Sequence, residues 1–86
     1  MENREIDYSK EKQTYLITGG SGFLGINLTR YLINKGHDVI IFDIVPFDYE
    51  DTVEKVRVVN GDIRNINDLK AACDNVDIIV HCAAAL

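Results

Sequence analysis

Four short, mainly apolar runs punctuate the chain. The first contains Tyr15, Leu16 and Ile17 and ends at a glycine cluster. The second is Val39-Ile40-Ile41-Phe42 between Asp38 and Asp43, the third runs from Val56 to Asn60, and the fourth from Val76 to Ala83. Short runs rich in β-branched and aromatic residues, with no polar alternation, predict strands buried on both faces. Between the first two, apolar side chains at Phe23, Leu24, Leu28, Tyr31 and Leu32 are spaced by one, four, three and one, which predicts an amphipathic helix with that stripe toward the core. Lys35 falls in its last turn, and Gly36 stands where a left-handed cap residue is wanted. A second helix is predicted after Asn65, a residue suited to an N-cap, with Asp68 in the first turn and Ile66, Leu69, Ala72 and Cys73 as its apolar face. The stretch from Ile44 to Lys55 is the least regular; it contains Pro46 and many acids, with at most a short helix over Tyr49–Glu54.

Strands alternating with helices imply an α/β fold of the Rossmann type, a doubly wound parallel sheet covered on both faces. Right-handed crossovers put the second and third strands to one side of the first, and the fourth to the other. The expected strand order is 3-2-1-4, the N-terminal part of such a sheet, with a ligand crevice at the switch point between strands one and four. Residues 1–13 are polar and read as a tail, so the folded unit is a partial domain over 14–86.

Charge and composition narrow the partners. A hydrophobic fraction of 47% in 86 residues supports a packed core. A net charge of −5 opposes binding to nucleic acid or to an anionic membrane surface, both of which call for basic patches. A dinucleotide is still compatible, because backbone amides bind phosphate without cationic side chains. Cys73 and Cys82 lack metal-ligand spacing and are expected to be buried, reduced thiols of a cytoplasmic protein, and the N-terminus has no apolar run.

The chemistry concentrates in Thr18–Gly25, TGGSGFLG, between the first strand and the first helix. Gly19 permits the tight turn, Gly22 lets a pyrophosphate reach the backbone, and Gly25 permits close helix–strand packing. The free N–H groups around Phe23 and Leu24 then face the phosphates. Asp43 ends the second strand 18 residues beyond Gly25, where a carboxylate can accept from both hydroxyls of an adenosine ribose. The following residue is Ile44, not Arg or Lys, so NAD is expected over NADP.

Taken with Gly61-Asp62-Ile63-Arg64 and Val80-His81-Cys82-Ala83-Ala84, this sequence resembles the extended short-chain dehydrogenase/reductase superfamily, in particular its NAD-dependent epimerase/dehydratase group. The resemblance spans about Thr14 to Leu86. It implies that Asp62 accepts from the adenine amino group, that Ile63 lines the adenine, and that Ala83 and Ala84 pass beside the nicotinamide-side ribose. His81 is expected to be packed and hydrogen-bonded. Catalysis in the superfamily uses a Tyr-x-x-x-Lys pair on a later helix. Tyr8/Lys12 and Tyr31/Lys35 have that spacing but stand in the wrong elements, so no catalytic residue is assigned. The chain stops directly after a strand that should be internal, so the catalytic and substrate-binding parts are expected elsewhere in a larger enzyme or on another chain. That enzyme would act on a sugar nucleotide and could assemble as a homodimer. A hydroxysteroid or flavonoid-type dehydrogenase or a reductase of the same superfamily, and a non-catalytic dinucleotide-binding module, are open alternatives.

Overall fold

The computed structural model describes residues 11–82. The elements are β1 (Thr14–Thr18), α1 (Phe23–Asn34), β2 (Asp38–Asp43), a 3-10 turn (Val53–Lys55), β3 (Arg57–Asn60), α2 (Ile66–Ala72) and β4 (Ile78–His81). They form one four-stranded sheet in the order β3-β2-β1-β4 with every neighbour parallel, the Rossmann-type topology expected. Among the described residues no helix is long and apolar enough to cross a membrane.

The unbroken apolar runs of β1 and β2 follow from their central place. Successive side chains point to opposite faces of the sheet, and both faces are covered. Ile17, Val39 and Ile41 join Ile26, Leu32 and Phe47 on the α1 side, while Leu16, Ile40 and Phe42 pack with Ala72 on the α2 side. The outer strands β3 and β4 are only half-buried, and Ile79 is exposed.

The rotation of α1 differs from the expected one. Phe23, Leu24 and Tyr31 point to solvent, at 85%, 66% and 59% exposure, and the face turned inward carries Gly25, Ile26, Thr29 and Leu32. The cause is Gly25. A Cβ there would stand 2.5 Å from the Gly20 Cα and 2.7 Å from the Gly19 oxygen, so the helix backbone lies directly on the turn before it. That contact fixes the helix rotation, and the residues one, four and seven positions on are buried whatever their polarity. The Thr29 hydroxyl satisfies itself by donating to the Gly25 carbonyl at 2.7 Å. At the other end Gly36 adopts φ 87°. Its N–H donates to the Ile33 carbonyl and that of His37 to the Leu32 carbonyl, the paired closure of a Schellman cap.

Four smaller departures follow from tertiary contacts. The 44–55 stretch contains no α-helix; it turns through 50–52 into the 3-10 turn, anchored by Phe47 and Thr52, which are 8% and 2% exposed. Asn65 caps α2 as expected, its Oδ1 accepting from the N–H groups of Asn67 and Asp68, but Ile66 is exposed and Ala72 is the buried residue. Cys73 and Cys82 are free thiols, and half-buried instead of buried. Gln13, grouped by polarity with the tail, is buried, and its N–H donates to His37 Nδ1 at 3.0 Å.

Candidate functional site

The turn after β1 is tied to the sheet at its start, where the Gly19 N–H donates to the Phe42 carbonyl at 2.8 Å. Gly19 has φ 72°, the left-handed conformation the motif demanded. Gly20 is hemmed in by Ile41, whose methyl carbons would lie 2.8 Å from an added Cβ. Gly22 is different: an added Cβ would meet only the Gly19 oxygen at 3.5 Å, an ordinary contact. Its φ of −84° suits any residue. Nothing in the packing of the described residues therefore requires glycine at this exposed position. Gly22 is also the N-cap of α1; no side chain among the described residues bonds to that helix end, and the first turn has no acid. Phe23 and Leu24 begin the helix, with first-turn N–H groups that have no intrahelical acceptor. An uncapped helix start beside an open glycine fits a phosphate group.

Asp43 stands at the carboxyl end of β2, next to this turn. Its Oδ2 accepts from the Ser21 N–H at 3.0 Å and its Oδ1 from the Val45 N–H at 3.0 Å. Each carboxylate oxygen retains a second lone pair, so both could also accept from ribose hydroxyls. Ser21 is held further: its hydroxyl donates to the Val45 carbonyl and its carbonyl accepts from the Tyr49 hydroxyl, both at 3.0 Å. Sequence reasoning missed Ser21 and Tyr49. Only the presence of a hydroxyl inside the motif and a tyrosine in an acidic loop marked them, and neither has a period to follow.

The post-β3 acid is arranged otherwise. Asp62 accepts from Arg64 through its backbone N–H at 2.9 Å and its guanidinium at 2.6 Å. These hydrogen bonds, the side-chain ones foremost, hold the Asp62 carboxyl at about 2, well below its usual range. An adenine amino group would share Asp62 with this arginine. Ile63 is half-buried against the α2-side cluster. Gly61 is required there, since a Cβ would lie 2.8 Å from the Phe42 ring.

His81, at the end of β4, pairs through Nδ1 with the Thr18 hydroxyl at 2.7 Å, across the switch point between β1 and β4. It is hydrogen-bonded as expected, though exposed instead of packed. Ala83, Ala84 and Tyr8 lie outside the described residues. Tyr31 and Lys35 stand on the solvent side and at the C-terminal cap of α1, with the Lys35 Nζ 5.7 Å from the Tyr31 ring centre. They lie at the opposite end of the helix from the glycine turn. Among the described residues no three His, Cys, Asp or Glu side chains gather into a metal-binding set.

The arrangement therefore combines a glycine turn, a helix start without a side-chain cap and a strand-end acid at the carboxyl ends of the two central strands of a 3-2-1-4 sheet. A profile of the "NAD dependent epimerase/dehydratase family" matches residues 15–86. The chain belongs to that family. A 3-beta-hydroxysteroid dehydrogenase from Mycolicibacterium neoaurum is 44% identical over 71 residues, covering 83% of this chain and 19% of the relative. Among solved structures, an epimerase from Methanothermobacter thermautotrophicus superposes with a TM-score of 0.76 at 34% identity, covering 91% of this chain and 24% of the other. The Bordetella bronchiseptica enzyme WbmG, in complex with NAD and UDP, gives a TM-score of 0.70 at 31% identity, over 84% of this chain and 25% of the other. The chain thus spans a quarter or less of the length of these relatives.

Proposed function

We propose that this chain is the NAD-binding portion of an NAD-dependent sugar-nucleotide epimerase or dehydratase. The observation that carries the reading is Gly22, a glycine that no contact among the described residues requires, at a helix start with no side-chain cap beside Asp43. Gly19, Gly22, Gly25 and the first-turn amides of Phe23 and Leu24 hold the pyrophosphate, and Asp43 holds the adenosine ribose. Asp62 and Ile63 take the adenine, and Ala83 and Ala84 pass beside the nicotinamide-side ribose. When bound, NAD supplies a hydride acceptor that takes up and returns a hydride at a sugar carbon. The residues of this chain bind and orient it. No side chain among the described residues is assigned a proton-transfer role.

The sugar-nucleotide substrate is supported by family membership and by the UDP in the WbmG complex. A hydroxysteroid dehydrogenase is the second reading, favoured by the 44% identity to the Mycolicibacterium enzyme. A cytoplasmic location, the absence of nucleic-acid and membrane partners, and a homodimer of the complete enzyme belong to the same proposal, the first two resting on the acidic charge and unpaired cysteines. Calorimetric titration with NAD tests the core of it. The chain is expected to bind NAD more tightly than NADP, while Gly22→Val stays folded and loses the binding. A folded Gly22→Val protein that takes up NAD normally would overturn the assignment. Turnover of sugar nucleotides or of hydroxysteroids by the complete protein separates the two substrate readings, and turnover of neither favours a binding module.

A further inference from the structure

Tyr49 lies outside every motif discussed above, yet its hydroxyl reaches the centre of the glycine turn. We infer that Tyr49 is a positioning residue for the phosphate-binding turn, acting through the Ser21 carbonyl; the inference rests on the NAD-binding reading above.

Its basis is the way Ser21 is held. All three of its polar groups are committed to the end of β2 and the segment after it: the N–H to the Asp43 carboxylate, the hydroxyl to the Val45 carbonyl, and the carbonyl to the Tyr49 hydroxyl. The Ser21 carbonyl and the Gly22 N–H belong to one planar peptide unit, and in a trans peptide they point in opposite directions. The Tyr49 hydroxyl grips one side of that plane at 3.0 Å, and the Gly19 carbonyl grips the other through the Gly22 N–H at 3.2 Å. The plane that carries Gly22 into the helix start is thereby fixed in rotation.

Tyr49 can do this because it is itself anchored. Its ring centre is 5.1 Å from that of Phe47, which is seated in the α1-side core. The Arg30 guanidinium lies 5.7 Å from the ring centre, and Arg30 reaches Asp51 through two bonds of 3.0 Å. A half-buried tyrosine clamped between a core ring and a helix-borne guanidinium loses little further freedom when its hydroxyl engages the turn. An anion site whose amides are already oriented binds without first ordering them, and affinity gains by that amount.

The test compares wild type with Tyr49→Phe, which removes one oxygen and leaves the ring. NAD affinity is measured by calorimetry, and amide hydrogen exchange and thermal unfolding are measured on the ligand-free proteins. Losing one hydrogen bond to the turn is expected to weaken NAD binding about 3- to 10-fold. Exchange at Ser21 and Gly22 should quicken while that of the β1 and β2 amides holds. Unchanged NAD affinity in Tyr49→Phe, even with a lower unfolding temperature, makes Tyr49 a purely structural residue and overturns the inference, with the NAD reading intact. Failure of the wild-type chain to bind NAD overturns that reading and this inference with it. Should Tyr49→Phe fail to fold, Arg30→Gln decides, since it frees the ring and spares the hydroxyl. An affinity loss of about 2-fold supports the inference, and none overturns it.

Discussion

The two halves of the glycine turn look alike in sequence and behave oppositely in space. The inner half, Gly19, Gly20 and Gly25, is pressed against the sheet and the helix; added carbons at Gly20 and Gly25 would collide at 2.8 Å and 2.5 Å. The outer half, Gly22 with Phe23 and Leu24, stands in the open, with no such collision at Gly22 and both neighbours exposed. The inner glycines answer to the fold; the outer one, on the function proposed above, answers to a ligand. One motif thus holds two separable requirements, and substitutions can address them one at a time.

The largest effect is expected at the inner half. Gly25→Val would drive a branched side chain into the backbone of Gly19 and Gly20, which cannot swing aside as a flexible side chain would. The overpacking should cost about 3 kcal/mol or more, read as a fall in the urea midpoint with an unchanged slope. Stability equal to wild type would erase the distinction between the halves. Gly22→Val makes the complementary case. It should cost about 1 kcal/mol or less, the loss from a β-branched residue at an N-cap, since its backbone is extended and its surroundings open, while NAD binding is lost.

The acids at the rim extend the contrast. Asp43 is bonded to two backbone amides, one of them in the glycine turn, whereas the Asp62 carboxylate is bonded to Arg64 two residues on, through its backbone N–H and its exposed side chain. In Asp43→Asn one of the two amides would face an NH2 group instead of an acceptor. NAD affinity should then drop about 3- to 10-fold, with NADP losing less because the charge opposing a 2′-phosphate is gone. An unchanged NAD-to-NADP preference would detach Asp43 from cofactor choice. The smallest effect is at Asp62. Its carboxyl is depressed to about 2 from the ordinary 3.8 by Arg64. The pair's contribution is therefore fully present above about pH 4 and fades as the pH falls toward 2. Carboxyl chemical shifts followed by NMR should show the low midpoint in wild type and its return toward the ordinary value in Arg64→Gln. Arg64 is well exposed to water and Asp62 partly so, and little change in unfolding temperature is expected.

How much of this was readable before folding depended on the kind of signal. The sheet order was readable because β1 and β2 are apolar on both faces, which only a central place in a parallel sheet explains. The glycine spacing and Asp43 were readable because each has a steric or electrostatic demand of its own. The helix face was not. Counting apolar residues favoured Phe23, Leu24 and Tyr31, but the true interface is set by Gly25, which a hydrophobic pattern scores as nothing, and it buries Thr29. Phe47 and Tyr49 were obscured by the acids and proline around them, since their burial comes from packing against α1 and not from any local repeat. Asp62 was legible as a post-strand acid, while its engagement by Arg64 depends on side-chain placement that no spacing rule encodes.

The central position of β1 also governs the order in which the molecule can assemble. Its register with β2 pairs Thr14 with Asp38, a short excursion of chain, whereas Thr18 meets His81 across 63 residues. By loop-closure scaling the longer ring costs about 0.9 kcal/mol more entropy than the shorter one, before either is rewarded by contacts. The β1–α1–β2 unit, which already contains the whole glycine turn and Asp43, is thus the natural nucleus, and β4 docks late. The glycine turn and its neighbouring acid are built from nearby chain, and the β1–β4 crevice beside them forms last.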